Sequence, residues 1–111
     1  MNDKLNTVAM NIIINAGDAR NKGNEAVKYA KEFNFNDAYK SMEEAEKLIT
    51  KAHISQTEVI QGFASGKEFP ANFLFIHAQD TLMTIKSELN MFTELISVLE
   101  QLNSLINERE V

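Results

Sequence analysis

The residues with the most chemical potential lie together in the stretch 77–83, HAQDTLM. If this stretch is helical, His77 and Asp80 lie one turn apart on the same side of the helix. An imidazole and a carboxylate in this arrangement are compatible with three kinds of chemistry. They could form half of a metal site, a general base with its orienting partner, or a nucleophile that accepts a phosphoryl group.

Each role of His77 requires different surroundings. A single His–Asp pair is only half of a metal site. A general base needs a nucleophile or an oxyanion-stabilising device, and neither accompanies His77 in the sequence. A phosphoryl acceptor needs only partial exposure and some hydrogen-bond donors, and much of an imidazole is neutral and nucleophilic near pH 7. Since a lone histidine in a helix is most often structural or at the surface, the spacing alone leaves these interpretations open.

The composition of the chain excludes several classes of function. The 111 residues include no cysteine, which excludes disulfides, thiol catalysis and zinc sites built on thiolates. The formal net charge of −5 argues against nucleic-acid binding, because the phosphate backbone requires clustered Lys and Arg. The first residues lack an apolar signal segment, and no run is long and apolar enough to span a bilayer. We therefore expect one cytoplasmic domain over residues 1–111, with no direct membrane insertion.

Apolar and small residues recur every three or four positions in three successive segments, which is the pattern of helices that pack together. In the first segment they are Leu5, Ala9, Ile12, Ala16, Ala19, Gly23, Ala26, Ala30 and Phe33. In the second they are Ala38, Met42, Ala45, Ile49, Ala52, Gln56, Val59 and Phe63. In the third they are Ala78, Leu82, Ile85, Leu89, Phe92, Ile96 and Leu99. The sequence therefore predicts an all-α fold, a three-helix antiparallel up-down-up bundle, with a close helix approach at the small residues of the first segment.

The helix ends are predicted from residues that cap or terminate helices. Asn34 or Asn36 is expected to cap the second helix, and Gly66 to follow its last turn. Pro70 suits the first position of the third helix, which would then run to about Asn107.

The third segment carries a second apolar series, about a third of a turn away from the first. It consists of Met91, Leu95, Val98, Leu102 and Leu105. This series is either a wide stripe facing the core or a contact between copies of the helix in an oligomer. Followed towards the start of the helix, it passes Thr81 and His77, with Asp80 to one side. In an oligomer, copies of Asp80 would crowd at the axis, where Mg²⁺ or Ca²⁺ would relieve their repulsion.

Several short stretches, taken in order along the chain, resemble one bacterial family. The weaker ones are 12–20 (IIINAGDAR), 45–46 (AE), 52–53 (AH), 56–58 (QTE) and 64–66 (ASG). The most specific is 77–80 (HAQD), followed by Leu82, Met83 and Thr84. Together they make the chain similar to the enzyme IIA components of the lactose/cellobiose class of the phosphoenolpyruvate-dependent sugar phosphotransferase system.

The resemblance implies a homotrimer of three-helix subunits that acts as a phosphotransferase component. His77 would accept a phosphoryl group from the phosphocarrier protein HPr, as a tele-phosphohistidine, and pass it to a cysteine of the matching IIB component. IIB would then phosphorylate a β-linked disaccharide of the lactose, cellobiose or chitobiose type as it enters through the membrane component IIC. The resemblance further implies that Asp80 binds Mg²⁺, or a similar divalent cation, at the trimer axis.

Two neighbours of His77 are expected to contact the phosphate. Gln79 points nearly opposite His77 on the helix wheel, so in a trimer it would face His77 of the neighbouring subunit and donate a hydrogen bond to its phosphate. Thr81 stands where family members commonly carry a second histidine, and its hydroxyl can donate a hydrogen bond but supplies no charge. His53 and Gln56 also match the family pattern, and we interpret them as a buried polar pair.

Two other functions are compatible with a helical bundle that carries His77. One is a non-catalytic oligomeric adaptor, in which the second apolar series serves only for assembly. The other is a two-component histidine phosphotransfer domain, which would be a four-helix monomer with a Lys and a Gly shortly after the histidine. Thr81 and Leu82 occupy that region here and argue against the second alternative.

Overall fold

Three long helices form the molecule, as seen in a computed structural model that describes residues 2–66 and 72–110. They are α1 (Asn2–Lys31), α2 (Phe35–Ala64) and α3 (Phe73–Glu110). The short connections make α1 and α3 parallel and α2 antiparallel to both, in an elongated molecule of 65 × 20 × 18 Å. The predicted up-down-up bundle is confirmed, and no strand occurs in the described residues.

None of these helices, over the part of the chain that the structure describes, combines the length and the apolar character needed to cross a bilayer.

The first helix ends in a turn that places Phe33 in the left-handed region, with φ of 60°. The N–H of Phe33 donates to the carbonyl of Ala30 (3.0 Å), and that of Asn34 donates to the carbonyl of Tyr29 (2.9 Å). These two bonds close the helix end in the Schellman arrangement. The prediction that Phe33 continues the core series is therefore wrong, because α1 has already ended at Lys31 and the Phe33 side chain is 48% exposed.

The second helix begins and ends as two of the capping predictions require. Its first residue is Phe35, and the carbonyl of Asn34 accepts the N–H of Ala38 at 3.1 Å, which makes Asn34 the N-cap residue. The Asn34 side-chain amide donates to the Asp37 carboxylate at 2.8 Å. Beyond the last helical residue, Gly66 has a φ of +91°, a conformation that L side chains rarely adopt, so its role at the helix end is confirmed.

The third helix begins at Phe73. Pro70, predicted as its first residue, lies outside the described residues and ahead of the observed start. The N-cap is Asn72, whose side-chain oxygen accepts the N–H of Phe75 at 2.9 Å.

The core follows the three predicted series almost completely. Its fully buried members come from all three helices and include Ile12, Ala45, Leu82, Leu89 and Ile96. Gln56 is buried as expected, whereas His53 is exposed, so the predicted buried pair is wrong for the histidine. The side chain of Phe63, the last member of the second series, lies outside the described part of the structure.

Small residues of α1 allow α3 to approach closely, as predicted. At Gly23, an added methyl group would lie 2.6 Å from Leu89 Cδ2 and 2.8 Å from Phe92 Cδ2, both on α3. Such distances are shorter than packed carbon atoms tolerate, so glycine is required here by the separation of the two helices.

The second apolar series of α3 is exposed along its whole length. The exposed fractions are 64% for Met91, 42% for Leu95, 57% for Val98, 47% for Leu102 and 59% for Leu105. These side chains do not enter the core of their own subunit. The interpretation as a wide core-facing stripe is therefore wrong, and the single chain presents an apolar face on α3 that none of the described residues covers.

Candidate functional site

His77 lies in the second turn of α3, and its side chain is exposed. Its imidazole forms no hydrogen bond or ion pair with any residue that the structure describes. Helical side chains lean back over the preceding turn, so the ring extends towards the capped start of α3. An exposed, uncommitted imidazole on a regular helix is a side chain that an incoming reactant can reach.

The edge of α3 that carries His77 faces α1. Glu88 follows His77 by eleven residues, which places it about 20° from His77 on the helix wheel. Its carboxylate accepts a hydrogen bond from Arg20 Nε of α1 at 2.8 Å and lies 2.7 Å from Arg20 Nη2. On the other side of His77, the Asn72 amide donates to Asn6 Oδ1 of α1 at 2.7 Å. His77 therefore lies between two polar contacts that join α3 to α1.

Asp80 belongs to the exposed apolar face. It precedes Val98 by eighteen residues, which is five full turns, so the two side chains point in the same direction. The Asp80 carboxylate is exposed and has no hydrogen bond or ion pair within the described residues, and in particular none to His77. Asp80 therefore does not orient the His77 ring within one subunit.

Gln79 and Thr81 are half-buried on opposite flanks of the same helical turn. Gln79 is about 200° from His77 on the wheel, whereas Thr81 is about 40° away on the α1 side. Neither side chain is hydrogen-bonded to another described residue. The structure thus places the four predicted site residues on one short segment, without bringing Gln79 to the His77 of the same chain.

The chemistry of the Asp80 side chain fits a divalent cation, because carboxylate oxygen is the ligand type that Mg²⁺ prefers. Within the described residues of one chain, no group of three or more His, Cys, Asp or Glu side chains could hold a metal ion. A cation shared by the Asp80 carboxylates of several copies would neutralise their mutual repulsion.

Sequence analysis missed the contact between Asn72 and Asn6. Asn72 directly precedes the apolar residues of the first turn of α3, which is a recognisable N-cap signal. Its partner could not have been found in this way, because Asn6 lies on a different helix and its amide has no distinctive sequence context.

The chain matches the sequence model of one protein family, described as "PTS system, Lactose/Cellobiose specific IIA subunit", over residues 7–100. It is 33% identical to the lichenan-specific phosphotransferase enzyme IIA component of Bacillus subtilis over 102 residues, which cover 92% of this chain and 93% of that one. It is 35% identical to the N,N'-diacetylchitobiose-specific EIIA component of Escherichia coli, with 92% and 88% of the two chains covered.

Solved structures agree with the sequence comparison. The cellobiose-specific enzyme IIA of Bacillus anthracis superposes with a TM-score of 0.84 at 34% identity, covering 88% of this chain and 90% of that one. The IIA(Chitobiose) subunit of Escherichia coli, solved in complex with HPr, superposes with a TM-score of 0.77 at 35% identity, covering 87% and 94%. Since the family model spans most of the chain and the fold agrees throughout, this protein belongs to the lactose/cellobiose-specific IIA family of the phosphotransferase system.

Proposed function

We propose that this protein is a phosphocarrier in which His77 accepts a phosphoryl group from HPr and passes it to a cysteine of a IIB component. The observation that carries the proposal is the exposed imidazole of His77, which has no partner among the described residues and lies on a capped helix of a chain in this family. Support for HPr as the donor comes from the Escherichia coli relative, whose structure was solved with HPr bound.

The chemistry requires only the imidazole and a partner that reaches it. In the first step the unprotonated tele nitrogen, Nε2, attacks phosphorus, and the bond between phosphorus and its carrier atom on HPr breaks. In the second step a thiolate of IIB attacks the same phosphorus, and the bond to Nε2 breaks, which restores the neutral imidazole. The phosphohistidine is thus an intermediate, and the protein emerges unchanged from each cycle.

The exposed apolar series of α3 supports a homotrimer. Contiguous exposed apolar surface on a soluble chain marks an interaction site. Beyond Glu100, which accepts a 2.7 Å hydrogen bond from Tyr39 at the start of α2, α3 continues to Glu110. This last part is about 15 Å long at 1.5 Å per residue, and its apolar residues Leu102 and Leu105 are exposed. We propose that α3 packs against its copies about a three-fold axis and covers these side chains.

In that trimer we place Asp80 nearest the axis, because its direction lies about 20° from the middle of the apolar series on the helix wheel, whereas that of His77 lies about 40° away on the side facing α1. Carboxylates that converge at an axis repel unless a cation bridges them. We propose that Mg²⁺ or a similar divalent cation is held there by one Asp80 from each subunit. The ion would support assembly, while His77, about 60° away on the wheel, stays accessible at the boundary between subunits.

Gln79 and Thr81 are proposed to stabilise the phosphate on His77. Thr81 belongs to the same chain and can donate through its hydroxyl. Gln79 faces away from its own His77, so its amide would donate to the phosphate of the neighbouring subunit. If Gln79→Ala leaves the lifetime of the phosphohistidine and the transfer rate unchanged, this role of Gln79 is refuted.

The sugar is proposed to be a β-linked disaccharide, phosphorylated by IIB as it enters through the membrane component IIC, while this protein works in the cytoplasm. The relatives named for lichenan and N,N'-diacetylchitobiose support this class of substrate. The IIA component carries phosphate only, so the identity of the sugar depends on the partner components.

The proposal is tested with phosphoenolpyruvate labelled in its phosphoryl group, together with enzyme I, HPr and the matching IIB component. Label is expected on this protein and then on IIB, as acid-labile phosphate that His77→Ala abolishes. His53→Ala is the matched control, because His53 is the other histidine and is also exposed. Failure of the wild-type chain to take up label from HPr would favour the non-catalytic adaptor.

A further inference from the structure

The start of α3 is tied to α1 by a pair of asparagines. The side-chain amide of Asn72 donates to Asn6 Oδ1 at 2.7 Å, and both residues are half-buried at the surface between the two helices. Partial burial makes the bond stronger than an exposed one, since fewer water molecules compete for the same groups.

Asn72 also builds the first turn of α3. Its side-chain oxygen accepts the N–H of Phe75 at 2.9 Å, and its backbone carbonyl accepts the N–H of Ile76 at 3.1 Å. The bond to Phe75 satisfies one of the N–H groups that a helix leaves unpaired at its start, and the bond to Ile76 is the first i→i−4 bond of α3. The same side chain thus caps α3 and fastens the cap to α1.

His77 follows directly after the turn that Asn72 builds. Five residues, or about 7.5 Å along the axis, separate the two positions. Because the His77 side chain leans back over residues 73–76, its position and orientation depend on that turn being helical and fixed. Fraying of the first turn would leave the imidazole without a defined direction.

The core of α1 on this half of the helix mixes large and small side chains. Leu5 and Ile12 are buried, but so are Ala9, Ala16 and Ala19, whose small side chains interlock weakly with a neighbouring helix and leave the position of α3 along α1 partly to polar contacts. The other polar contact, between Arg20 and Glu88, involves side chains that are 42% and 37% exposed, and exposed ion pairs contribute little. It also lies about 16 Å beyond His77.

We propose that the Asn6–Asn72 pair is a positioning contact for phosphoryl transfer, which holds the first turn of α3 against α1 and presents His77 in one orientation. The proposal rests on the proposed function of His77. Neither asparagine touches the phosphate. Their contribution is to keep the acceptor nitrogen in line with the phosphorus of the incoming donor, since a small displacement of a reacting group slows a transfer severely.

The test compares Asn6→Ala with Asn6→Asp. Asn6→Ala removes the interhelical bond but leaves the Asn72 cap on Phe75 intact. Asn6→Asp retains an oxygen that accepts from the Asn72 amide, so it should restore the contact. Arg20→Met and Asn24→Ala are controls: the first breaks the distant interhelical pair, and the second changes an exposed asparagine of α1 that has no hydrogen bond to the described residues.

The measurements are the rate of phosphoryl transfer at saturating phosphorylated HPr, the HPr concentration for half-maximal rate, and the melting temperature. We expect Asn6→Ala to lower the saturated rate about ten-fold while the half-saturating concentration stays unchanged. Asn6→Asp and both controls should keep the wild-type rate. In the double variant Asn6→Asp with Asn72→Asp, two carboxylates face each other where the interhelical hydrogen bond was, while the residue 72 side chain can still cap Phe75. Its saturated transfer rate should fall at least as far as that of Asn6→Ala.

A wild-type rate in Asn6→Ala, with only its melting temperature lowered, would reduce the pair to a structural contact and overturn the proposal. An equal loss in Asn24→Ala would do the same. Both outcomes differ from failure of the proposed function, in which the wild-type protein itself takes no phosphate from HPr.

Discussion

Replacing Gly23 by alanine should fail to stabilise the bundle, although alanine is the better helix former. The added methyl group would lie 2.6 Å from Leu89 Cδ2 and 2.8 Å from Phe92 Cδ2. Leu89 is almost fully buried, so it cannot move aside without displacing other core residues. Gly17, six residues earlier on the same helix, has no atom within 4 Å of the corresponding position, which makes Gly17→Ala a matched control.

Two opposing contributions determine the change in unfolding free energy. Alanine stabilises a helix by about 1 kcal/mol relative to glycine. Forcing one extra carbon into a packed core costs about 1–3 kcal/mol. Gly17→Ala has only the first contribution and should be stabilising by about 1 kcal/mol. Gly23→Ala has both, so its free energy of unfolding should fall about 1–3 kcal/mol below that of the control.

Urea unfolding followed by far-ultraviolet circular dichroism measures the difference. Wild type and both variants are compared at one protein concentration, because oligomerisation makes apparent stability depend on concentration. The expected order of midpoints is Gly17→Ala, then wild type, with Gly23→Ala at or below it. If Gly23→Ala were stabilised as much as Gly17→Ala, α3 could not approach α1 as closely as described, and the account of the small residues in α1 would be wrong.

Three further predictions test other parts of the fold. Phe33→Gly should be more stable than Phe33→Ala by about 1 kcal/mol, measured by urea unfolding, because only glycine adopts a φ of 60° without strain; equal stabilities would contradict this. The hydrogen bond to Glu100 raises the pKa of Tyr39 above its usual value, so the stability that this bond contributes is lost as the pH rises through that pKa. Spectroscopic titration should show one tyrosine with a raised pKa; Tyr39→Phe should remove this titration, and Glu100→Gln should lower its pKa. Val98→Asp should dissociate the proposed trimer in sedimentation experiments, whereas Ile54→Asp, at a comparably exposed position on α2, should not; an unchanged mass for Val98→Asp would refute packing about an α3 axis.

Most of the fold could be predicted because one strong signal repeats along the whole chain. The three-and-four spacing of apolar residues identified all three helices, and residues such as Ile12 and Leu82 are buried as that spacing requires. The second series on α3 was also visible in the sequence. Its meaning was not, because a spacing pattern shows which residues share a face but not whether the subunit covers that face itself.

The failures are local and have local causes. The spacing predicts Phe33 in the core, yet α1 ends two residues earlier, and Phe33 itself adopts a left-handed conformation that spacing cannot reveal. The family pattern predicts that His53 is buried with Gln56, but residues three positions apart differ by about 60° around a helix, which here places Gln56 in the core and His53 in solvent. The Asn6–Asn72 bond joins two helices far apart in sequence, and only the packed structure brings them together.

At the candidate site, too, the sequence predicts some features and leaves others open. The residue types and the HAQD stretch identified His77, and the structure adds that it is exposed and unpaired among the described residues. The roles proposed for Gln79 and Asp80 depend on neighbouring subunits, so neither the sequence nor a single chain contains the geometry that would test them. The cation at the axis stays a prediction for the same reason.

The most direct test of the central claim is to locate the phosphoryl group after incubation with phosphoenolpyruvate, enzyme I and HPr. Nuclear magnetic resonance of protein labelled with ¹⁵N in its histidines distinguishes His77 from His53 and Nε2 from Nδ1. The account predicts one phosphoryl group per chain, bound to Nε2 of His77, with the resonances of His53 unchanged. A phosphoryl group on His53, or a wild-type protein that stays unmodified while HPr is phosphorylated, would contradict it.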